Sequence, residues 1–158
     1  DSEFDQMKRI AGELASNLVE RLARDCQSTA DSEALTAQLQ HFVHDYSFIQ
    51  YAYVTDVKGH STAIAISDPG DQKGYKAFPI GFDYSNREWF LQPIRTGKLH
   101  ITNVHQSQVT GQLIITVSTV ITDANDEIIG VLGADIQLEE IIRGAESLEA
   151  EVPNSEEE

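Results

Sequence analysis

Basic residues are scarce in this chain: 11 Lys and Arg stand against 26 Asp and Glu, giving a formal charge of −15 at pH 7. So negative a surface repels phosphate backbones and anionic lipid headgroups, which excludes a nucleic-acid or membrane-surface binder. What remains is solubility or a mild preference for cationic ligands. Cysteine is scarcer still. Cys26 stands alone, so no internal disulfide can form, and this neither proves a reducing compartment nor excludes a periplasmic one. No run approaches the roughly 18 apolar residues that span a bilayer, and no signal peptide opens the chain. The first residue is Asp1 rather than Met, read as the mark of a processed or excised chain, so a missing anchor says nothing about the parent protein. Hydrophobic residues make up 41% of the 158. That is low for a globular protein, yet enough for one domain with a core and short for two.

Against these absences the periodicity is clear. Phe4, Met7, Ile10, Ala11, Leu14, Ala15, Leu18, Val19 and Leu22 recur in steps of three and four, which predicts a helix over 3–26 with one apolar stripe. At ~1.5 Å per residue it would be about 35 Å long. The stripe is close to a heptad over about three repeats, so it either packs along the domain or forms a dimer seam. A polar break at 28–31 precedes a second helix over 32–45, capped by Asp31 or Ser32 and carrying Leu35, Leu39, Phe42 and Val43. The period then changes. Alternating apolar residues over 48–57, a turn through Lys58, Gly59 and His60, and a β-branched run over 62–66 predict a hairpin.

Residues 67–81 hold Pro69, Gly70, Gly74, Pro79 and Gly81 and read as a loop. A short helix over 85–96 is predicted next, with Ser85 or Asn86 as cap, Gly97 as stop and Pro93 weakening or kinking it. Three strands follow, over 99–105, 112–122 and 127–136, joined by short turns into a meander. The second is nearly continuous in β-branched and apolar residues, so it is expected to be a central strand. An amphipathic piece over 138–148 leads into an acidic tail over 149–158, expected to be disordered. Strands in a run with helices segregated from them predict an α+β domain with one antiparallel sheet. Three parts follow: a long N-terminal helix over 1–27, a core over 28–148 and the tail over 149–158.

Catalytic and metal motifs are weak. His41 and His44 form a close pair on a helix with Asp45 as the only adjacent acid and no further ligand at a metal spacing. His100, Thr102 and His105 cannot all share one face of a strand, because 100 and 105 differ in parity and so point to opposite faces. Ser107 and Ser118 lack a nucleophile elbow. Asp123, Asn125 and Asp126 suggest a calcium loop but lack its later Gly and Glu. The expectation is a protein that is not an enzyme, with no metal and no cofactor.

The most distinctive segments are Asp83-Tyr84-Ser85-Asn86-Arg87-Glu88-Trp89-Phe90, the Thr110-Gly111 turn before Ile114-Ile115-Thr116-Val117-Ser118, and Ile128-Ile129-Gly130-Val131-Leu132-Gly133-Ala134-Asp135-Ile136. In this order and spacing they resemble the Cache (PDC) family of sensor domains, which share a PAS-like core. The resemblance runs from the first helix to about Leu138. It implies a five-stranded antiparallel sheet, the long helix packed behind it, and a ligand pocket in front under a loop and short helix. One strand set implies a single module. Such domains commonly stand outside the cytoplasmic membrane of bacterial chemoreceptors, histidine kinases and diguanylate cyclases.

In amino-acid-binding relatives an Arg-x-Trp motif holds the ligand carboxylate and an Asp closing the last strand takes the amine. Arg87, Trp89 and Asp135 resemble that pattern. Phe82 and Phe90 stand where tyrosines would be, and His105 lies near the place of a strand tyrosine. The residues make chemical sense unaided: a planar guanidinium suits a carboxylate, and an opposed carboxylate suits an ammonium group. The bland alternative is that Arg87 and Asp135 pair with each other and Trp89 is core. Tyr84 would shape the cavity with Phe82, Phe90 and His105. Tyr51 and Tyr53, and likewise Thr116 and Ser118, share strand faces that either line the pocket or form a satisfied polar core. His105 either favours a more anionic ligand, such as a dicarboxylate, or lies exposed at an edge.

The reading is a ligand-binding sensor domain for a small carboxylate or amino-acid-like molecule, passing a conformational signal to an output domain. A homodimer through the N-terminal helix is the possible partner, in a membrane-anchored, periplasmic-facing parent. A ligand-free dimerisation module and a soluble cytoplasmic role are the alternatives.

Overall fold

The computed structural model describes residues 3–27, 32–68, 76, 78–106, 111–141 and 143. Helix α1 spans Glu3–Cys26 and α2 spans Ser32–Asp45. Both lie on one side of the sheet, α1 across its later strands and α2 over the first hairpin. The stripe of α1 buries Ala11, Ala15, Leu18, Val19, Leu22, Ala23 and Cys26, while Ile10 and Leu14 stay exposed. The domain thus uses the predicted stripe from Ala11 onward, apart from Leu14. Burial, and secondarily the charge of Asp25, push the Cys26 thiol up to about 12.

Strands β1 (Ile49–Thr55) and β2 (Ser61–Ile66) form the predicted hairpin. Its turn is held by Asp56, whose Oδ1 accepts the N–H groups of Lys58 and His60 at 2.9 and 3.0 Å. After β2 comes α3 (Glu88–Thr96), then the short strands β3 (His100–Ile101) and β4 (His105–Gln106), and finally β5 (Leu113–Thr122) and β6 (Ile128–Gln137). The sheet order is β2-β1-β6-β5-β3, with β4 also on the outer edge of β5, and every pairing is antiparallel. Counting β3 and β4 as one interrupted edge gives the five positions expected. The middle position belongs to β6, and β5, expected as a central strand, is paired on both sides, by β6 and by the β3–β4 edge.

Two expectations are corrected. The strand predicted over 99–105 is broken at Thr102. Register passes from His100↔Ser118 and Ile101↔Val117 to His105↔Ile114, so the edge strand carries one extra residue. There the Thr116 N–H donates to Thr102 Oγ1 at 2.9 Å and the Thr102 N–H donates to the Thr116 carbonyl at 3.0 Å. A hydroxyl has replaced a ladder carbonyl. The cap of α3 is Arg87 in extended backbone, with no side-chain cap bond, rather than Ser85 or Asn86. Those two fall in a preceding turn, where Asp83 Oδ1 accepts the Ser85 N–H at 2.8 Å. The helix runs through Pro93 and stops at Gly97, whose φ of 71° suits glycine.

Asp123 holds the turn over 123–127, its Oδ1 accepting the N–H groups of Asn125 and Glu127. Among the described residues no acidic, His or Cys cluster has metal-binding geometry. Most of the 67–81 loop, the 107–110 turn, most of the 138–148 piece and the tail over 149–158 lie outside the described residues. The sheet therefore separates two cores. Helices α1 and α2 cover one built from Ile49, Ala52, Val54, Ile115, Val117, Leu132, Ala134 and Ile136. On the other face lies an aromatic core of Tyr51, Tyr53, Tyr84, Trp89 and Phe90 with Ile64, Ile66 and Val131.

Candidate functional site

Antiparallel register assembles the aromatic face row by row, because residues opposite one another point to the same side. Tyr51 pairs with Asp135, and Asp135 with Thr116. In the next row Tyr53 pairs with Gly133, Gly133 with Ser118, and Ser118 with His100. Gly133 leaves a gap in the second row, and Trp89 of α3 fills it. A Cβ at Gly133 would lie 3.0 Å from Trp89 Cε3 and 3.3 Å from Tyr53 Cδ2. The indole stacks on Tyr53 with centroids 5.3 Å apart and an interplanar angle of 19°. A helix carrying a large ring can therefore lie flat on the sheet beside the first row.

Between α3, the segment before it and the sheet lies a cavity of about 140 Å³. Its walls include Tyr51, Tyr53, Tyr84, Arg87, Trp89, His105, Thr116 and Asp135, each anticipated from sequence. Phe82 and Phe90 pack in the surrounding aromatic core, and Ser118 is buried in the Gly133 row; none of the three lines the cavity. Phe78, Gln106 and Ile114 do line it and were missed. Phe78 is concealed in a loop rich in Gly and Pro, while the other two are placed by the β4–β5 register, which no periodicity reveals.

The extra residue at the sheet edge decides the histidines. Ile114 and Ser118 share parity on β5, so their partners His105 and His100 share a face despite differing in parity themselves. The expectation of opposite faces is thereby overturned. His105 reaches the cavity mouth, with its Nδ1–H donating to the Asn103 carbonyl at 2.9 Å. His100 instead bonds Glu88 of α3.

Asp135 is 7% exposed and does not pair with Arg87. Its Oδ2 accepts from the Tyr53 hydroxyl, and its Oδ1 accepts from Thr116 Oγ1 at 2.8 Å. Burial pushes its carboxyl above the ordinary value, while the Tyr53 and Thr116 bonds and the nearby His105 pull the other way. Tyr53 is driven well upward by its own burial and then by the Asp135 charge. Arg87 is half-buried, its guanidinium carbon 6.0 Å from the ring centres of both Phe82 and Tyr84. None of the ion pairs among the described residues involves it. Among the described residues, the cavity thus has a cation outside any ion pair at one side and a buried carboxylate at the other.

Fold and cavity together define a small-molecule-binding sensor domain of PAS-like architecture. Residues 32–143 match the family described as methyl-accepting chemotaxis protein-like, first PDC sensor domain, and the chain belongs to that family. It is 37% identical over 146 residues to the citrate (Re)-synthase of Syntrophus aciditrophicus, covering 92% of this chain and 23% of that protein. It is 23% identical over 125 residues to the methyl-accepting chemotaxis protein McpA of Pseudomonas putida, covering 79% of this chain and 18% of that one. The chain spans less than a quarter of either relative. Among solved structures, the ligand-binding domain of the Pseudomonas fluorescens chemoreceptor CtaA in complex with L-valine is similar at a TM-score of 0.63 and 26% identity, over 85% of this chain and 57% of that one. The sensory domain of the Campylobacter jejuni chemoreceptor Tlp3 with isoleucine shares the fold at a TM-score of 0.62 and 18% identity, over 84% and 57%.

Proposed function

We propose that this domain senses a small amino acid or related carboxylate as the extracytoplasmic part of a membrane-anchored bacterial receptor. The observation that carries the reading is the meeting of Arg87, Trp89 and Asp135, from segments some forty residues apart in sequence, around one cavity. The Arg87 fork beside Trp89 suits the ligand carboxylate. Asp135 suits its amine, because an ionised carboxylate has about four acceptor sites and Tyr53 and Thr116 use two. A volume of about 140 Å³ is well below the roughly 300–1,000 Å³ of drug-sized sites and favours a ligand of few heavy atoms. The similar CtaA domain was solved with L-serine, L-valine and L-alanine, which supports the same class here.

Signalling would follow from ligand-dependent packing of α3 and the segment before it against the sheet, biasing α1 or the residues after Leu138. The exposed Ile10 and Leu14 of α1 suit pairing with a second copy. A thermal-shift screen against amino acids, amines, and mono- and dicarboxylates tests the reading on the wild type, Arg87→Ala and Asp135→Ala. Saturable stabilisation lost in the arginine variant is expected. Loss in the aspartate variant as well marks an amine-bearing ligand, whereas its retention marks a simple carboxylate. The internal bonds of Asp135 favour one competing reading, a ligand-free interaction module, in which both variants change stability and no compound shifts the wild type.

A further inference from the structure

We infer that the Tyr84 hydroxyl is a ligand-binding group, donating a hydrogen bond to the ligand's carboxylate beside Arg87; the assignment rests on the carboxylate-sensing reading above. Tyr84 is 2% exposed, and its hydroxyl is buried without a hydrogen-bond partner among the described residues. A buried phenol ordinarily finds a partner, because leaving one unmatched is costly. Here the ring cannot turn away to find one. It packs against Phe82 at 4.8 Å, Trp89 at 4.9 Å and Tyr53 at 5.6 Å between centroids. Its backbone is tied at both ends: the Tyr84 N–H donates to the Gly59 carbonyl at 2.8 Å, and the Tyr84 carbonyl accepts the Arg87 N–H at 2.9 Å.

The side chain lines the same cavity as Arg87 and Asp135. Burial and the Asp135 charge push the phenol's pKa up and the Arg87 charge pulls it down, so the group lies within reach of both and keeps its proton. Of the two ends of an amino acid, the carboxylate is the one that needs donors. Arg87 supplies a fork and leaves further lone pairs open. The ammonium needs acceptors, and the Asp135 end already holds two donors in Tyr53 and Thr116. A third donor belongs with the carboxylate.

Removing the hydroxyl should therefore act with opposite sign on the free and liganded protein. The common L-amino acids are titrated calorimetrically against the wild-type domain, and the strongest binder is then titrated against Tyr84→Phe. The variant should bind it about tenfold more weakly, while melting, without ligand, at the wild-type temperature or above. The decarboxylated amine of the same amino acid should bind both proteins equally. Equal affinity of the two proteins for the amino acid overturns the inference alone. A ligand-free variant that melts several degrees lower overturns it by showing an internal partner, and equal losses for acid and amine overturn it by moving the hydroxyl to the ammonium end. A wild type that takes up none of the amino acids, and none of the mono- and dicarboxylates of the thermal-shift screen, overturns the sensing reading, and the inference with it.

Discussion

Asp135 is the residue in which folding and ligand chemistry meet. Its carboxyl is raised from the ordinary 3.8 by burial, so between 3.8 and the higher folded value the folded state holds a proton that the unfolded chain has lost. The stability this contributes is complete below 3.8 and is lost as pH rises through the folded value. Melting temperature compared between wild type and Asp135→Asn should therefore shift against the wild type on going from acid to neutrality. Ligand affinity should move the other way. An ammonium group needs the ionised carboxylate, so calorimetric titration across the same window should find binding strengthening with pH. Gly133 gives a second test. Gly133→Ala places a methyl 3.0 Å from Trp89, and overpacking of this kind costs about 1–3 kcal/mol. Trp89 is the only tryptophan, so chemical denaturation followed by its emission should reveal both the lost stability and a displaced ring.

Among the elements, the interrupted edge strand has the largest effect on the site. Thr102→Val removes the acceptor of the buried Thr116 N–H and should lower stability by about 1–3 kcal/mol in denaturant unfolding. Because it loosens the insertion that turns His105 toward the cavity, ligand affinity should fall too. Gly97→Ala, at the left-handed end of α3, should cost about 1 kcal/mol. The helices and the hairpin were legible in the sequence because hydrophobic burial writes a period of 3.6 or 2 into the chain. Arg87, Trp89 and Asp135 were legible as rare residue types closing or opening elements. Register breaks leave no such trace. The extra residue near Thr102, and the shift near Gln50 that lets Ile49 face the helices and Tyr51 the cavity, reverse parity without altering composition. The faces of His100 and His105 were misread for that reason, and Gln106 and Ile114 were missed with them. Phe78 escaped because its loop has no period at all.

The whole molecule is one sheet with an unlike core on each side, aliphatic under α1 and α2 and aromatic under α3. A ligand in the proposed site would sit against the second, whereas any message carried by α1 belongs to the first, so coupling between them would have to cross β5 and β6. The net charge of −15 opposes compaction, and raising salt from low concentration to about 0.5 M should lift the melting temperature by screening that repulsion. Cys26 lies at the far side of the sheet from the cavity, 2% exposed and protonated at neutral pH. A buried thiol of this kind stays unreactive until the helix that holds it lifts away. The lone cysteine thus makes the domain its own recorder: the rate at which a thiol-specific dye enters counts the openings of α1, and a ligand that slows that rate from across the sheet has sent its signal through it.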